Sequence, residues 1–194
     1  MTGPTGPTGP TERTRPTRPV EPAEPGPVAV LIGPPAAGKS AVGPLLAELF
    51  GTTFRDTDAD ITAAAGRAVS DIFIEQGEQA FRQLEREATA RALREHQGVL
   101  ALGSGAVLDP ELQPRLEGLP VVYLAADFGT VARRLGLDRP RVVIPGNPRG
   151  RLRAMLEERR PLYEQLATVI VKTDDLDPDE LAAQIAATLD EQHR

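Results

Sequence analysis

Residues 28–40 read VAVLIGPPAAGKS, an apolar run followed at once by a glycine-rich loop. Five apolar residues in succession, at 28–32, predict a strand that is buried on both faces. The next eight residues match G-x-x-x-x-G-K-[ST], a loop whose backbone N–H groups and following helix surround phosphate groups. Lys39 adds a positive charge near the β- and γ-phosphates, and the Ser40 hydroxyl is suited to bind Mg²⁺. The segment therefore predicts a nucleoside triphosphate site.

The alternative interpretation of this motif is a glycine-containing turn with a surface lysine. Lysine is scarce in the chain, because only Lys39 and Lys172 among its 22 basic residues are lysines. A chance match is expected in roughly one sequence of this length in a hundred, and the flanking strand and helix lower that figure. The sequence therefore favours a nucleotide-binding loop. Its residues are Gly33, Pro34, Pro35, Ala36, Ala37, Gly38, Lys39, Ser40 and Ala41.

Short apolar strands alternate with helical patterns along the rest of the chain. Further strands are predicted at 52–55, 99–102, 120–124 and 168–172. Helices are predicted at 39–50, 58–66, 70–77, 78–96, 109–116, 128–135, 151–166 and from 178 onward. This alternation predicts an α/β fold of the three-layer P-loop NTPase type, a five-stranded parallel sheet flanked by helices. Ligands of such sheets bind beyond the C-terminal ends of the strands.

Proline and glycine mark the boundaries of the predicted domain. Residues 1–27 repeat Thr-Gly-Pro and are so rich in proline and glycine that we expect a disordered tail. Residues 28–194 are predicted to form one domain. Within that domain, the prolines and glycines at 136–150 predict a loop, which we expect to close over the site as a lid.

The composition argues against several classes of function. The net charge of −6 and the pI of about 5.1 argue against a nucleic-acid partner. No apolar run reaches the roughly 18 residues of a membrane span, and the N-terminus lacks the apolar segment of a secretory signal. Without cysteine, and with only His96 and His193, the chain has no disulfide, thiol nucleophile or histidine-rich metal site. We expect a cytoplasmic monomer that acts on a small molecule.

Acidic and small residues follow the second and third predicted strands. Asp56 and Asp58 are at positions i and i+2, so on a strand their carboxylates would point the same way. One would then face a metal ion and the other an attacking hydroxyl. A helix N-cap with a turn aspartate explains the same residues equally well. Gly103-Ser104-Gly105 lets the backbone approach a ligand closely, although glycine-rich turns are common.

Arginine is concentrated in one segment. Residues 133–160 contain nine arginines and three acidic residues, a net charge of +6. Such a local positive field suits phosphates and carboxylates. Arg82 lies outside this segment, and taken alone it is expected to pair with Glu78 or Glu85 on its own helix.

In their order along the chain, these motifs resemble those of the shikimate kinase family. The matching segments are GPPAAGKS at 33–40, DTD at 56–58, DIF at 71–73, GEQAFRQLE at 77–85, ALGSGAV at 101–107, VVYL at 121–124, RP at 139–140 and RRPLY at 159–163. The ordered series covers nearly all of the chain beyond the tail. The resemblance implies a nucleoside-monophosphate-kinase-like fold. It also implies transfer of phosphate from ATP, with Mg²⁺, to the 3-hydroxyl of shikimate, a step toward chorismate and the aromatic amino acids.

The resemblance implies roles on the acceptor side of the site. Asp58 would bind the shikimate hydroxyls and orient or deprotonate the attacking one. Arg82 and Arg159 would clamp the carboxylate, which suits the planar fork of a guanidinium. The turn of Gly103, Ser104 and Gly105 would contact the substrate.

On the nucleotide side, the resemblance implies that Lys39 and Arg139 stabilise the transferring phosphoryl group. Arg134 would stack on adenine. Ser40, together with Asp56 through water, would hold Mg²⁺.

The chain departs from the family pattern at several positions. Ser104 replaces the middle of three glycines, and a positive φ there would strain it. Ala36 stands where the family usually has glycine, and Ala41 where it usually has threonine. The general motif leaves both positions free, so ATP binding is expected to survive. The link from 134 to 139 is also shorter than the family pattern.

Two other functions fit parts of the sequence. A kinase of the same fold that acts on gluconate or a nucleotide shares the phosphate loop, although the full motif series favours shikimate. A degenerate nucleotide-binding module without transfer activity is the other alternative, and Ser104 is its best support.

Overall fold

The structure, a computed structural model, describes residues 26–138, 147–174 and 176–192. Strands and helices alternate along these ranges. The strands are β1 (Ala29–Ile32), β2 (Phe54–Asp56), β3 (Val99–Ala101), β4 (Val121–Ala125) and β5 (Val169–Lys172). The helices are α1 (Lys39–Leu49), α2 (Thr57–Ala65), α3 (Val69–Glu95), α4 (Phe128–Arg134), α5 (Pro148–Leu166) and α6 (Pro178–Gln192). The predicted α/β alternation is confirmed.

The five strands form one sheet in the order β2-β3-β1-β4-β5, and every neighbouring pair is parallel. All four residues of the central strand β1 are buried, and Val30 pairs with Leu100 on one side and Val121 on the other. A strand that is buried on both faces needs an unbroken apolar run. Because the strands are parallel, their C-terminal ends lie together at one edge of the sheet.

Helices cover both faces of the sheet. On one face, α1, α4, α6 and the first half of α5 pack against strand residues that include Leu31 and Leu124. On the other face, the end of α3 and the end of α5 pack against Val30 and Tyr123. Tyr163 of α5 stacks on Tyr123 with ring centroids 5.0 Å apart. The predicted three-layer arrangement is confirmed.

A smaller apolar cluster joins α2 to α3. It consists of Ile61, Ile72, Phe81 and Ala88. The backbone of α3 is broken at Gly77, where φ is 83° and ψ is 168°, and this break matches the predicted division of the region at that glycine. Since α2 begins directly where β2 ends, its first turn lies at the C-terminal edge of the sheet.

The helix predicted at 109–116 is wrong. The structure has one 3₁₀ turn there, at Gln113–Leu116. Proline lacks the backbone N–H that a helix interior needs, and both Pro110 and Pro114 lie in this short stretch. The apolar residues of this stretch therefore lie on turns and not on an α-helix.

The predicted loop at 136–150 also extends too far, because α5 already begins at Pro148. Asn147 caps this helix by accepting a hydrogen bond from the Gly150 N–H at 2.8 Å. Pro148 occupies the first helical position, where its missing N–H costs nothing. The helix then continues through Pro161 to Leu166, as predicted for 151–166.

Some sequence-based predictions lie outside the described residues. These are the tail up to residue 25, the central part of the predicted lid at 139–146, and Arg139 within it. In the part of the chain that is described, no helix is long and apolar enough to cross a membrane.

Replacing Thr89 by valine is expected to raise the free energy of unfolding by about 1 kcal/mol. Thr89 lies fully buried on α3, and within the described residues its hydroxyl has no hydrogen-bond partner. Valine keeps the shape and removes this unpaired group. The matched control is Thr57→Val, because Thr57 is equally buried but its Oγ1 accepts a bond from the Gly103 N–H at 2.9 Å. Urea unfolding should show a gain in the free energy of unfolding for Thr89→Val and a loss for Thr57→Val. Equal losses in the two variants would contradict the conclusion that the Thr89 hydroxyl is unpaired.

Candidate active site

The loop between β1 and α1 forms the floor of a cavity of about 510 Å³ at the C-terminal edge of the sheet. Lys39 lies on the first turn of α1, and its Nζ donates to the carbonyl oxygens of Gly33 at 2.8 Å and Pro34 at 3.1 Å. The ammonium group is thus folded back over its own loop. The cavity is lined by loop residues 35–42 together with Asp56, Asp58, Ser104, Arg134, Leu176, Pro178 and Leu181.

Burial dominates the electrostatics of Lys39. It lowers the pKa of this ammonium to about 8, while the carboxylates of Asp58, Asp56 and Glu85 act in the opposite direction. Lys39 is therefore still mostly charged at neutral pH. An anion bound in the cavity would favour the charged form further.

One loop residue carries backbone strain. Ala36 has a φ of 58°, and it is the one non-glycine residue with a positive φ among the described residues. The left-handed conformation costs an L-residue about 1–2 kcal/mol relative to glycine. Alanine at this position is therefore less stable than glycine would be.

Ser40 and Asp56 form a pair of oxygen ligands beside the loop. The Ser40 hydroxyl donates to Asp56 Oδ2 at 2.8 Å. The other oxygen of Asp56 accepts from the Asp58 N–H at 2.9 Å and caps α2. Hydroxyl and carboxylate oxygens suit Mg²⁺. In the described ranges no group of three acidic or histidine side chains surrounds a metal position, so water and phosphate oxygens would have to complete the shell.

The strand geometry expected for Asp56 and Asp58 is wrong. Asp56 ends β2, and Asp58 already lies in the first turn of α2. The N-cap alternative is thus correct for Asp56. The two side chains still converge, since both line the cavity. Burial, reinforced by the nearby Asp56 carboxylate, raises the pKa of Asp58 to about 6, against the opposing effects of Lys39 and Arg82.

The turn after β3 is closely surrounded by charged side chains. A Cβ on Gly103 would lie 2.7 Å from Asp58 Oδ1 and 2.6 Å from Glu85 Oε1. A Cβ on Gly105 would overlap with the guanidinium of Arg82. A side chain at either position would therefore displace these charged groups, and the close approach predicted for this turn is explained by these neighbours.

Arg82 is held by carboxylates of its own helix. Its Nη1 donates to Glu85 Oε2 at 2.6 Å and its Nη2 to Glu78 Oε1 at 3.3 Å, so the expected pairing forms with both glutamates. Arg82 and Gly105 also line a second cavity of about 280 Å³. The ion pairs thus fix the guanidinium beside the glycine turn.

Arg159 and Tyr163 approach the same turn from α5. Arg159 Nη1 donates to the Ser104 carbonyl at 3.2 Å, and the Tyr163 hydroxyl donates to the same oxygen at 2.7 Å. The Nε of Arg159 is buried and has no partner among the described residues. Burial raises the pKa of Tyr163 to about 12, so this hydroxyl remains a donor.

Arg134 is held on the other side of the phosphate loop. Its guanidinium donates to the carbonyl oxygens of Ala36, Ala37 and Thr173. It also lines the cavity near Leu176 and Pro178. The structure therefore brings the predicted site residues to one edge of the sheet, with Arg139 outside the described residues.

Comparison with known proteins decides the family. The family model described as shikimate kinase matches residues 35–190. The shikimate kinase of Thermobifida fusca (strain YX) is 53% identical over 163 residues, 84% of this chain and 95% of that protein. The chain belongs to the shikimate kinase family.

Further relatives agree with this placement in the shikimate kinase family. The shikimate kinase of Streptomyces coelicolor (strain ATCC BAA-471 / A3(2) / M145) is 51% identical and covers 80% of this chain and 91% of that protein. Among solved structures, shikimate kinase from Acinetobacter baumannii in complex with shikimate superposes with a TM-score of 0.77. It is 32% identical, and the match covers 84% of this chain and 93% of that one.

Sequence reasoning gave no role in the site to three residues that shape it in this shikimate kinase family member. Glu85 is buried against Arg82 and the glycine turn, Thr57 accepts the Gly103 N–H, and Tyr163 holds Ser104. Glu85 had a signal, because it follows Phe81 by four residues and so falls on the apolar stripe of its helix. A carboxylate on such a stripe needs a buried partner. Nothing in the neighbouring sequence indicates the contacts of Thr57 and Tyr163.

Ser104→Gly is expected to lower the free energy of unfolding by about 0.5–1 kcal/mol and to leave the KM for shikimate nearly unchanged. Ser104 is not strained, because its φ is not positive, so glycine there only adds freedom to the unfolded chain. Ala36→Gly is the contrasting variant, and there the positive φ predicts a gain in stability. Urea unfolding measures both, and a larger gain from Ser104→Gly would contradict this account.

Proposed function

We propose that this chain transfers the γ-phosphate of ATP to the 3-hydroxyl of shikimate. Membership of the shikimate kinase family supports this proposal. The observation that carries it is that Lys39, on the phosphate loop, and Asp58, beside the glycine turn, line one cavity. A phosphoryl donor and a hydroxyl acceptor would therefore meet between a cation and a carboxylate.

The proposed chemistry is mostly positioning and charge neutralisation. The phosphate loop and Lys39 would bind the β- and γ-phosphates, and the start of α1 adds the positive end of its dipole. Asp58 would accept a hydrogen bond from the attacking hydroxyl and take its proton. With a pKa of about 6 this carboxylate is ionised at neutral pH and is also basic enough to act.

Mg²⁺ fits the oxygen pair formed by Ser40 and Asp56. When bound there, the ion would neutralise charge on the β- and γ-phosphate oxygens. The Ser40 hydroxyl would then bind the ion instead of donating to the Asp56 carboxylate. Asp56 would hold the ion through water, while its other oxygen continues to cap α2.

The carboxylate of shikimate is assigned to Arg82 and Arg159. Both guanidinium groups reach the glycine turn, from α3 and α5 respectively. A buried donor without a partner costs about 1–3 kcal/mol, and among the described residues the Nε of Arg159 finds no partner. A bound carboxylate would satisfy it and would form the charge-assisted pair that guanidinium favours.

An acceptor screen tests the proposal. ADP release from Mg·ATP is measured with shikimate, gluconate and nucleoside monophosphates as acceptors under the same conditions. We expect turnover with shikimate well above that with the other two classes. Preference for gluconate or a nucleotide would replace the proposed substrate, and no acceptor-dependent release with any of them would favour a nucleotide-binding module without transfer activity.

Arg82→Ala is expected to raise the KM for shikimate about tenfold to a hundredfold while leaving the KM for ATP nearly unchanged, because a bond to a charged partner is lost. The matched control is Arg86→Ala, one helical turn further along α3, where the side chain pairs with Asp109. Steady-state kinetics with each substrate varied in turn separate the two KM values. An unchanged shikimate KM in Arg82→Ala would remove this residue from the carboxylate site.

Several expectations stay predictions. They are the single domain over 28–194, the lid with Arg139 at the transferring phosphate, the monomeric state and the cytoplasmic location. Absence of nucleic-acid and membrane partners is likewise a prediction from composition and charge.

A further inference from the structure

Arg134 connects the phosphate loop to the end of β5. Its Nη1 lies 3.0 Å from the carbonyl oxygen of Ala36 and 3.2 Å from that of Ala37. Its Nη2 lies 2.9 Å from the carbonyl oxygen of Thr173, the buried residue that follows β5. Thr173 is itself tied to β4 by a bond from its N–H to the Ala125 carbonyl at 3.0 Å. One planar guanidinium thus joins the phosphate loop to the end of the sheet.

These bonds set the direction of the loop amides. In a planar trans peptide the C=O of one residue and the N–H of the next point in opposite directions. By holding the Ala36 carbonyl, Arg134 turns the Ala37 N–H toward the Pro34 carbonyl, with which it bonds at 3.2 Å. By holding the Ala37 carbonyl, it turns the Gly38 N–H away from itself. That N–H donates to no group within the described residues, so it remains available to a phosphate.

The same contacts act on the strained residue of the loop. Ala36 keeps a φ of 58° although alanine disfavours that region. Strain of this kind persists only where the surroundings fix the conformation. Within the described residues, the Ala36 carbonyl is fixed by Arg134. A lysine at position 134 would keep the positive charge, but it lacks the planar guanidinium that bonds both the loop and Thr173.

We propose that Arg134 is a positioning residue, which holds the phosphate loop in its phosphate-binding shape by fixing the carbonyl oxygens of Ala36 and Ala37. The inference rests on the proposed function in one respect, that the loop binds polyphosphate. It goes beyond the expected stacking of Arg134 on adenine, since the contacts to the loop are independent of any base.

Tripolyphosphate, which has phosphates but no base, separates the two roles. Calorimetry with the full chain and Mg²⁺ gives the Kd for tripolyphosphate and for ADP in wild type and in Arg134→Lys. We expect the variant to raise the Kd of both ligands by a similar factor, about tenfold. This factor corresponds to the strain at Ala36, because Arg134 no longer holds that residue in its left-handed conformation. The matched control is Arg133→Lys, since in the described part of the chain that neighbouring arginine bonds only the Thr130 hydroxyl of its own helix, at 3.5 Å. This control should leave both Kd values unchanged.

Glycine at position 36 provides a rescue test. In an Ala36→Gly background the left-handed conformation is not strained, so Arg134→Lys should then cost much less, about threefold or below. An effect of charge alone would not depend on the residue at position 36. Loss of ADP affinity with full retention of tripolyphosphate affinity in Arg134→Lys would overturn the inference in favour of base stacking. Equal binding by Arg134→Lys and wild type would overturn it outright, and failure of the wild-type chain to bind tripolyphosphate would overturn the proposed function as well.

Discussion

Lys39→Ala is expected to lower kcat about 10²–10³-fold, the loss typical of removing one donor that stabilises charge in a transition state. The ammonium of Lys39 is the positive side chain that projects from the phosphate loop itself, and it is already held over the loop by two carbonyl oxygens. Its partial burial strengthens any interaction with phosphate oxygens because water screens them less. The effect is measured as acceptor-dependent ADP release in a coupled assay.

The chain offers one matched control for this substitution. Lys172→Ala removes the other lysine of the sequence, which is exposed at the end of β5 and does not line the cavity. We expect wild-type kinetics from this control. Comparable turnover in the two variants would show that Lys39 does not act on the transferring phosphate.

Asp58→Asn is the second large effect, with an expected loss of about 10²–10⁴-fold in kcat, the range that general base catalysis contributes. Asparagine keeps the size of the side chain and its place in the first turn of α2, but it cannot take a proton. Asp60→Asn is the control, because Asp60 lies on the same helix and pairs with Arg55 at 2.7 Å. Wild-type turnover in Asp58→Asn would remove the catalytic role of this carboxylate.

The pH profile gives a second readout of Asp58. Its pKa is raised to about 6, so its basic form is present above that pH and is lost as the pH falls through it. The kcat/KM of the wild type should therefore decline below about pH 6 with the titration of one group. In Asp58→Asn, whose activity is lower, kcat/KM should not decline below about pH 6. If the decline persists in that variant, the titrating group is another residue.

The central elements of this protein were predictable because each has a local cause. β1 is apolar throughout and is followed by a loop motif whose spacing is fixed by phosphate binding. The part of α3 predicted at 78–96 followed from apolar residues at helical spacing, of which Phe81, Ala88 and Ala92 are buried. Where the sequence carried proline, local patterns were less reliable, as the 3₁₀ turn at Gln113–Leu116 and the early start of α5 at Pro148 demonstrate.

The sequence named residues that the structure brings to one edge of the sheet, but it did not predict how their side chains are arranged. The family resemblance identified Asp58 and Arg82, whereas the helical position of Asp58 depends on where β2 ends. The sequence did not decide which residue has a positive φ. Ala36 has one and Ser104 does not, because φ depends on the path of each turn. Contacts such as that between Tyr163 and Ser104 join residues far apart in sequence, so only the folded chain reveals them.

The most direct test of the account follows the phosphate itself. A ³¹P NMR time course of the full chain with Mg·ATP and shikimate monitors the γ-phosphate signal of ATP and any new phosphorus signal. The account predicts that the γ-signal is replaced, one for one, by a monoester signal coupled to the proton at carbon 3 of shikimate. Release of inorganic phosphate instead, or an ATP spectrum that stays unchanged with shikimate present, would contradict it.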